Sequence, residues 1–160
     1  MKICHARTDD VYSIYELIKY YSDREIVLPR SLLSIYQQLQ CLYVVKEEDE
    51  VVGVAGLHVL GRDLAEVRSL VVHPDHQQKG IGRMLVEHII EESPKLGVER
   101  LISLTYQVDF FKKLGFQMAI RDDLPEKVWT DCVNCPKINN CDEIALVKYL
   151  KNHDSNSAIV

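Results

Sequence analysis

Between two apolar patterns the chain reads Val71-Val72-His73-Pro74-Asp75-His76-Gln77-Gln78-Lys79-Gly80-Ile81-Gly82-Arg83. An apolar run ends at a proline, a polar stretch follows, and two glycines open a segment of helical spacing. This arrangement suits an anion. Glycines permit positive φ and close approach of the backbone. The first turn of a helix carries amide hydrogens without acceptors, and its dipole favours negative charge. Lys79 and Arg83 put cations at the same place. The Gly-Lys-Ser/Thr of a nucleotide P-loop is missing, and Leu85 stands where Gly-x-Gly-x-x-Gly needs its last glycine. The plainer alternative is a strand-to-helix turn with two permissive glycines.

A second group of reactive residues is Cys132-x-x-Cys135 followed by Cys141. Zinc takes four ligands. These three candidates would need a fourth, such as Asp142, His153, Cys4 or Cys41. A redox pair at 132 and 135, or free thiols beside a loop, are the competing readings. Among the histidines, His73 before Pro74 reads as local structure and His58 as a strand-face residue.

The elements that must hold these residues follow from periodicity. Residues 1–6 suit an edge strand. Thr8-Asp9-Asp10 offers helix-starting chemistry, and Val11, Ile14, Tyr15, Ile18 and Tyr21 predict a helix over about 9–22. Ser31 is placed to cap a second helix carrying Leu32, Ile35, Tyr36 and Leu39. Leu42 to Val45 and Val51 to Leu60 predict an antiparallel hairpin turning at Glu47 to Glu50. Leu64 to Val72 is the next strand, polar at first and then apolar. A helix follows from about Gly80 to Glu92, ended by Pro94 and Gly97. Arg100 to Thr105 is a strand, Val108 to Leu114 a short helix, and a strand follows Gly115-Phe116. Ile144 to Leu150 is a last strand. Residues 151–160 read as a loose tail. The order is β-α-α-β-β-β-α-β-α-β-β, an α/β domain (α+β in some schemes) covering residues 1–150.

Composition narrows the class. The 160 residues are 47% hydrophobic and 27% charged, enough for one ordinary core. Lys plus Arg number 19 and Asp plus Glu 24, for a net charge of −5. That balance argues against a nucleic-acid or membrane-surface binder. No segment approaches the roughly 20 apolar residues of a membrane helix. Met1-Lys2-Ile3-Cys4-His5 shows no signal-peptide pattern, so the expected location is cytoplasmic. A homodimer is among the assemblies left open.

Gln77-Gln78-Lys79-Gly80-Ile81-Gly82 resembles the Arg/Gln-x-x-Gly-x-Gly/Ala signature of the GNAT superfamily, the Gcn5-related N-acetyltransferases. Val71-Val72-His73-Pro74 is similar to that family's lead-in. Phe110-Phe111-Lys112-Lys113-Leu114-Gly115-Phe116 resembles its later Phe-Tyr-x-x-x-Gly-Phe motif. The resemblance implies a twisted mixed sheet of about 6–7 strands with helices on both faces. Acetyl-CoA is expected in the split between the fourth and fifth strands. It implies coenzyme contacts from Leu70, Val71 and Val72 on a bulged fourth strand, from Gln77, Gln78, Lys79, Gly80, Ile81, Gly82 and Arg83, and from Phe111. Lys112 and Lys113 are candidates for the 3′-phosphate.

For chemistry, the resemblance points to Glu66 as general base. The family's tyrosine acid is replaced by Phe111, which has no proton to give. Tyr106, at the end of the preceding strand, is the substitute candidate.

Val27-Leu28-Pro29-Arg30-Ser31, Ala65-Glu66-Val67-Arg68-Ser69-Leu70 and Asp123-Leu124-Pro125-Glu126-Lys127-Val128-Trp129 resemble the acetyltransferase domain of short bacterial N-acetylglutamate synthases, as does Asp131-Cys132-Val133-Asn134-Cys135-Pro136. The implied acceptor is the α-amine of glutamate, in arginine biosynthesis. An amino-acid acceptor brings carboxylates, and arginine grips carboxylates with two parallel hydrogen bonds. Arg30 is therefore the first acceptor-binding candidate, then Arg68 and Lys127, with Ser69 beside them. Strand alternation sends Arg68 to the face of Glu66 and Ser69 to the other, unless a bulge re-aims it. Glutamine or another amino acid, a peptide N-terminus or a polyamine are alternative acceptors, and a non-catalytic acyl-CoA sensor is the alternative outside enzymes.

Overall fold

A computed structural model describes residues 1–120 and 144–150. The strands are β1 (Lys2–His5), β2 (Leu42–Glu47), β3 (Glu50–Val59), β4 (Leu64–Val72), β5 (Arg100–Thr105), β6 (Gln117–Met118) and β7 (Ile144–Tyr149). The helices are α1 (Val11–Ser22), α2 (Leu32–Gln37), α3 (Ile81–Glu92) and α4 (Val108–Lys113). One mixed seven-stranded sheet runs β1-β2-β3-β4-β5-β7-β6, with β4 and β5 parallel. The order of elements is the one the periodicity predicts. By contact density the chain forms two units, Met1–Leu57 with Val67–Ile89, and His58–Glu66 with the residues from Ile90 on.

In the first unit β1, β2 and β3 pair antiparallel, with Cys4 opposite Val44 and Val44 opposite Val54. Glu48 and Asp49 turn the β2–β3 hairpin with φ of 53° and 67°. Two positive φ values in a two-residue loop match strand twist, although Asn-Gly adopts them with less strain. Helix α1 buries Val11, Ile14, Leu17 and Ile18 against Leu42, Val44, Val54 and Val71. Its start is pinned by Asp10, whose carboxylate accepts from the Arg7 amide at 2.8 Å and meets Lys46 Nζ at 2.8 Å. Ser31 caps α2 as expected, its Oγ accepting from the Ser34 amide at 3.1 Å. Helix α3 buries Ile81, Leu85, Val86 and Ile89. It lies so close to β3 that a Cβ at Gly53 would stand 2.6 Å from Ile81 Cγ2. Gly53 thus sets the height at which the first turn of α3 rests.

In the second unit the start of β4 pairs with β5, Glu66 opposite Ile102, and β5 pairs antiparallel with β7, Ile102 opposite Val147. Leu64, Ile102, Ala145 and Val147 form its apolar cluster, with Leu60, Leu104 and Ala119 packed on it. The hairpin turn at Asp63 is tied to β5. Arg100 Nη2 donates to the Asp63 carboxylate at 2.9 Å, and the Glu99 and Arg100 amides donate to its carbonyl. Helix α3 runs into a 3-10 turn at Ser93–Leu96, closed by Gly97 at φ 87°.

Candidate active site

The polar loop is organised from its own residues outward. Pro74–His76 form one 3-10 turn, with His73 Nδ1 accepting from the Asp75 amide at 3.1 Å. His73 is local structure, as its place before proline suggested. The side chain of Gln77 is used internally: Nε2 donates to Tyr21 Oη at 2.7 Å and to the Val72 carbonyl at 3.1 Å. Tyr21 donates to the same carbonyl at 2.5 Å. Burial raises the Tyr21 phenol above its ordinary value, against a smaller lowering by Gln77, so it stays a donor at neutral pH. The loop is thereby strapped to α1 and to the end of β4. Gln78 then adopts φ 63° and Gly80 φ 79°.

Gly80 precedes the helix, and its carbonyl takes the first helical hydrogen bond, from the Met84 amide at 3.0 Å. The amides of Ile81, Gly82 and Arg83 consequently have no acceptor within their helix. A Cβ at Gly80 would meet nothing within 4 Å. Its glycine is required by the positive φ, not by crowding.

The predicted cations are less bare than the sequence suggested. Lys79 Nζ is 3.2 Å from His76 Nδ1 and 3.8 Å from Glu47 Oε2, and His76 Nδ1 is 2.9 Å from that same oxygen. Arg83 Nε donates to Glu87 Oε1 at 2.7 Å. Exposed pairs of this kind are worth little and exchange partners readily. The backbone amides of the first helical turn, by contrast, are held in place by the helix itself.

Strand β4 carries the expected bulge. At the closed end of the β3–β4 hairpin, the Leu60 amide donates to Leu64, and at the open end the His73 amide donates to Val52. Leu64 to His73 is one residue longer than Val52 to Leu60, so β4 holds an extra residue between these points. Ser69 lies in that stretch at φ 54°. A residue in that conformation breaks the alternation and re-aims its neighbours.

Arg30 Nη1 donates to Gln38 Oε1 at 2.7 Å. The charges of Arg68 and Arg30 both reach the half-buried Cys41, which the sequence offered only as a fourth zinc ligand. Burial raises the Cys41 thiol, while the charges of Arg68 and then Arg30 pull it back. Two acceptor-binding candidates from separate elements therefore bear on one thiol.

In the second unit, Glu66 is 3% exposed and Tyr106 is 41% exposed. Phe111 is 3% exposed, its ring edge-on to Phe110 at 5.0 Å and to Phe116 at 5.1 Å. It packs the interior, a role beside the coenzyme contact that the resemblance implies. Lys112 and Lys113 are exposed on α4. Lys127, Cys132, Cys135, Cys141 and the tail at 151–160 lie outside the described residues. Among the described residues, no three of His, Cys, Asp and Glu are grouped to hold a metal ion.

Tyr21, Gly53 and Glu47 are the site's unforeseen members. Tyr21 and Gly53 sat within predicted elements, but their partners lie too far along the chain for spacing to reveal.

Residues 8–116 match the Acetyltransferase (GNAT) family, and the chain belongs to that family of acetyltransferases. It is 36% identical over 146 residues to an uncharacterized N-acetyltransferase of Chlorobaculum tepidum, covering 91% of this chain and 94% of that one. It is 35% identical over 114 residues to the amino-acid acetyltransferase of Mycobacterium tuberculosis, covering 69% of this chain and 65% of that one. The N-acetylglutamate synthase of Neisseria gonorrhoeae, solved with coenzyme A and N-acetyl-glutamate, is similar at TM-score 0.85 and 28% identity over 94% of this chain. The chain spans only 35% of that synthase. No described helix is long and apolar enough to cross a membrane.

Proposed function

We propose that the chain is an acetyl-CoA-dependent N-acetyltransferase acting on the α-amine of an amino acid, with L-glutamate as acceptor. The observation that carries the coenzyme reading is the start of α3, where helix geometry leaves three amides without an acceptor in the helix, beside a strapped loop. The acceptor reading is supported by Arg30 and Arg68 bearing on one locus, and by relatives named for amino-acid acetylation.

Acetyl-CoA supplies an acetyl group on a good leaving thiolate. The amides of Ile81, Gly82 and Arg83, with Gln78 and Lys79, hold its pyrophosphate. Amides released from the β4 ladder at Leu70, Val71 and Val72 pair with the pantetheine arm, and one faces the oxygen that becomes negative during attack. Glu66 takes the proton from the ammonium of the acceptor, so that a neutral amine attacks. Tyr106 returns a proton to the departing sulfur. Arg30, Arg68, Ser69 and Lys127 grip the carboxylates of the acceptor. Arginine biosynthesis and a cytoplasmic setting belong to this reading.

The test is release of free thiol from acetyl-CoA with a panel of amino acids, polyamines and a peptide N-terminus. Selective turnover with L-glutamate is expected. Turnover only with polyamines or peptides overturns the acceptor, and coenzyme binding without any turnover points to an acyl-CoA sensor. Glu66→Gln is expected to cut turnover by on the order of a hundred- to ten-thousandfold with coenzyme affinity unchanged. Unchanged turnover across the pH range removes Glu66 as base.

A further inference from the structure

A buried ionisable pair lies inside the second unit. His58, near the end of β3, is 6% exposed and Glu66, near the start of β4, is 3% exposed. The hairpin bond from the Leu60 amide to the Leu64 carbonyl sets the local register. Two residues back along β3 and two on along β4, His58 stands opposite Glu66. Side chains two apart share a face. His58 and Glu66 therefore share the face of Leu60 and Leu64, which is apolar and belongs to the cluster with Ile102 and Val147.

Opposite residues on an antiparallel pair are within reach of each other. An isolated carboxylate on an apolar face is costly, and so is an isolated imidazolium, whereas placed together each lowers the cost of burying the other. Across the sheet from Glu66 the neighbours are apolar. Its partner on β5 is Ile102, and Val147 lies beyond on β7. Arg100, two residues before Ile102, donates to Asp63. Tyr149, opposite Arg100 on β7, is 64% exposed. Arg68, two residues on in β4, lies toward the bulge, and Tyr106 lies beyond the last residue of β5.

We infer that His58 is a positioning residue for the proposed base: its imidazole N–H donates across the β3–β4 hairpin to one oxygen of Glu66, leaving the other oxygen to take the amine proton. The proton passes from the ammonium nitrogen to that free oxygen, and the imidazole keeps its own. The inference rests on the proposed role of Glu66 and adds to it the group that fixes which oxygen acts.

Two measurements on the full chain test it. In NMR spectra of the ¹⁵N-labelled protein, an imidazole N–H of His58 protected from exchange is expected in the wild type. It should be lost in Glu66→Gln or displaced strongly, because the amide is a weaker acceptor. In thiol-release assays with acetyl-CoA and L-glutamate, His58→Gln is expected to lower kcat on the order of ten- to a hundredfold, the scale of losing an orienting partner. The KM for acetyl-CoA should stay within about twofold, since a correctly folded loop binds it. His58→Gln combined with Glu66→Gln should be no slower than Glu66→Gln alone. No protected imidazole proton, or one indifferent to Glu66→Gln, overturns the pairing while leaving the base assignment standing. Additive losses in the double variant overturn the positioning role. Full turnover in Glu66→Gln overturns the base itself, and the positioning role with it, even where the imidazole proton is protected.

Discussion

Two helix ends in this molecule carry glycine motifs, and they do opposite things with the backbone. At the start of α3, Gly80 takes φ 79° and the helix leaves its first amides open. At the end of α4, Gly115 takes φ 94°, and the loose ends are closed within the chain. There the Gly115 amide donates to Lys112 at 3.0 Å and the Phe116 amide to Phe111 at 3.1 Å. These are the paired bonds of a Schellman motif, and the Phe111–Phe116 ring contact is its usual apolar companion. The Phe-Phe-x-x-x-Gly-Phe sequence is thus accounted for as a way to stop a helix. The Gln-x-x-Gly-x-Gly sequence is not accounted for by helix closure alone, because it holds a loop with two positive φ values in place and leaves amides without an acceptor inside the helix. A motif whose backbone bonds close on themselves speaks of stability, and one whose bonds remain open speaks of a ligand.

The sharpest way to break that contrast is Phe111→Ala. Deleting a fully buried ring is expected to cost about 3–5 kcal/mol. Denaturant unfolding should show the loss, while coenzyme affinity per folded molecule, from calorimetry, should change little. A large affinity loss in the folded fraction would return Phe111 to the coenzyme site.

The next comparison is between the glycines themselves. Alanine at either position must adopt positive φ, at roughly 1–2 kcal/mol. Gly115→Ala also crowds the ammonium of Lys148 and should appear as lost stability. Gly80→Ala has free space around it and should appear mainly as weakened coenzyme binding, since the loop can relax only by changing its shape. Equal effects of both on both measurements would erase the distinction between the two ends. Smaller again is Tyr21→Phe, which removes the donation to Val72 and the acceptor for Gln77. About 1 kcal/mol is expected, read as weaker coenzyme binding more than as a lower unfolding midpoint.

How much of this was legible depends on the distance between partners. Helix α1, the Ser31 cap and the turn at Glu48-Asp49 follow from neighbours in sequence, and the pattern of residues sufficed for them. The resemblance located the β4 bulge, but nothing in Ser69 announces a positive φ. The Glu47 counter-ion of Lys79 was invisible because Glu47 lies on another hairpin. Phe111 is implied as a coenzyme contact by the motif alone, and its burial against Phe110 and Phe116 had no signal in the spacing. That the charges of Arg30 and Arg68 both reach Cys41 needed the third dimension, since no spacing rule joins residues 30, 41 and 68.

That shared influence on Cys41 gives the smallest and most specific test. Burial holds the Cys41 thiol above its ordinary range, so less of it is thiolate at neutral pH than in a free cysteine. Its alkylation should be slow at neutral pH and accelerate as pH rises, with a midpoint above that of a free thiol. The charges of Arg68 and Arg30 work against burial. Arg68→Gln should therefore push the midpoint higher still, and Arg30→Gln should do so by less, following the order of their influence. The shifts can be read by mass spectrometry of the peptide containing Cys41 after timed alkylation across pH. Added L-glutamate supplies the opposite sign: carboxylates bound by the two guanidiniums neutralise the charge that favours the thiolate, and alkylation should slow further. Alkylation indifferent to both substitutions would separate the arginines from Cys41, and with them the acceptor site inferred from their convergence.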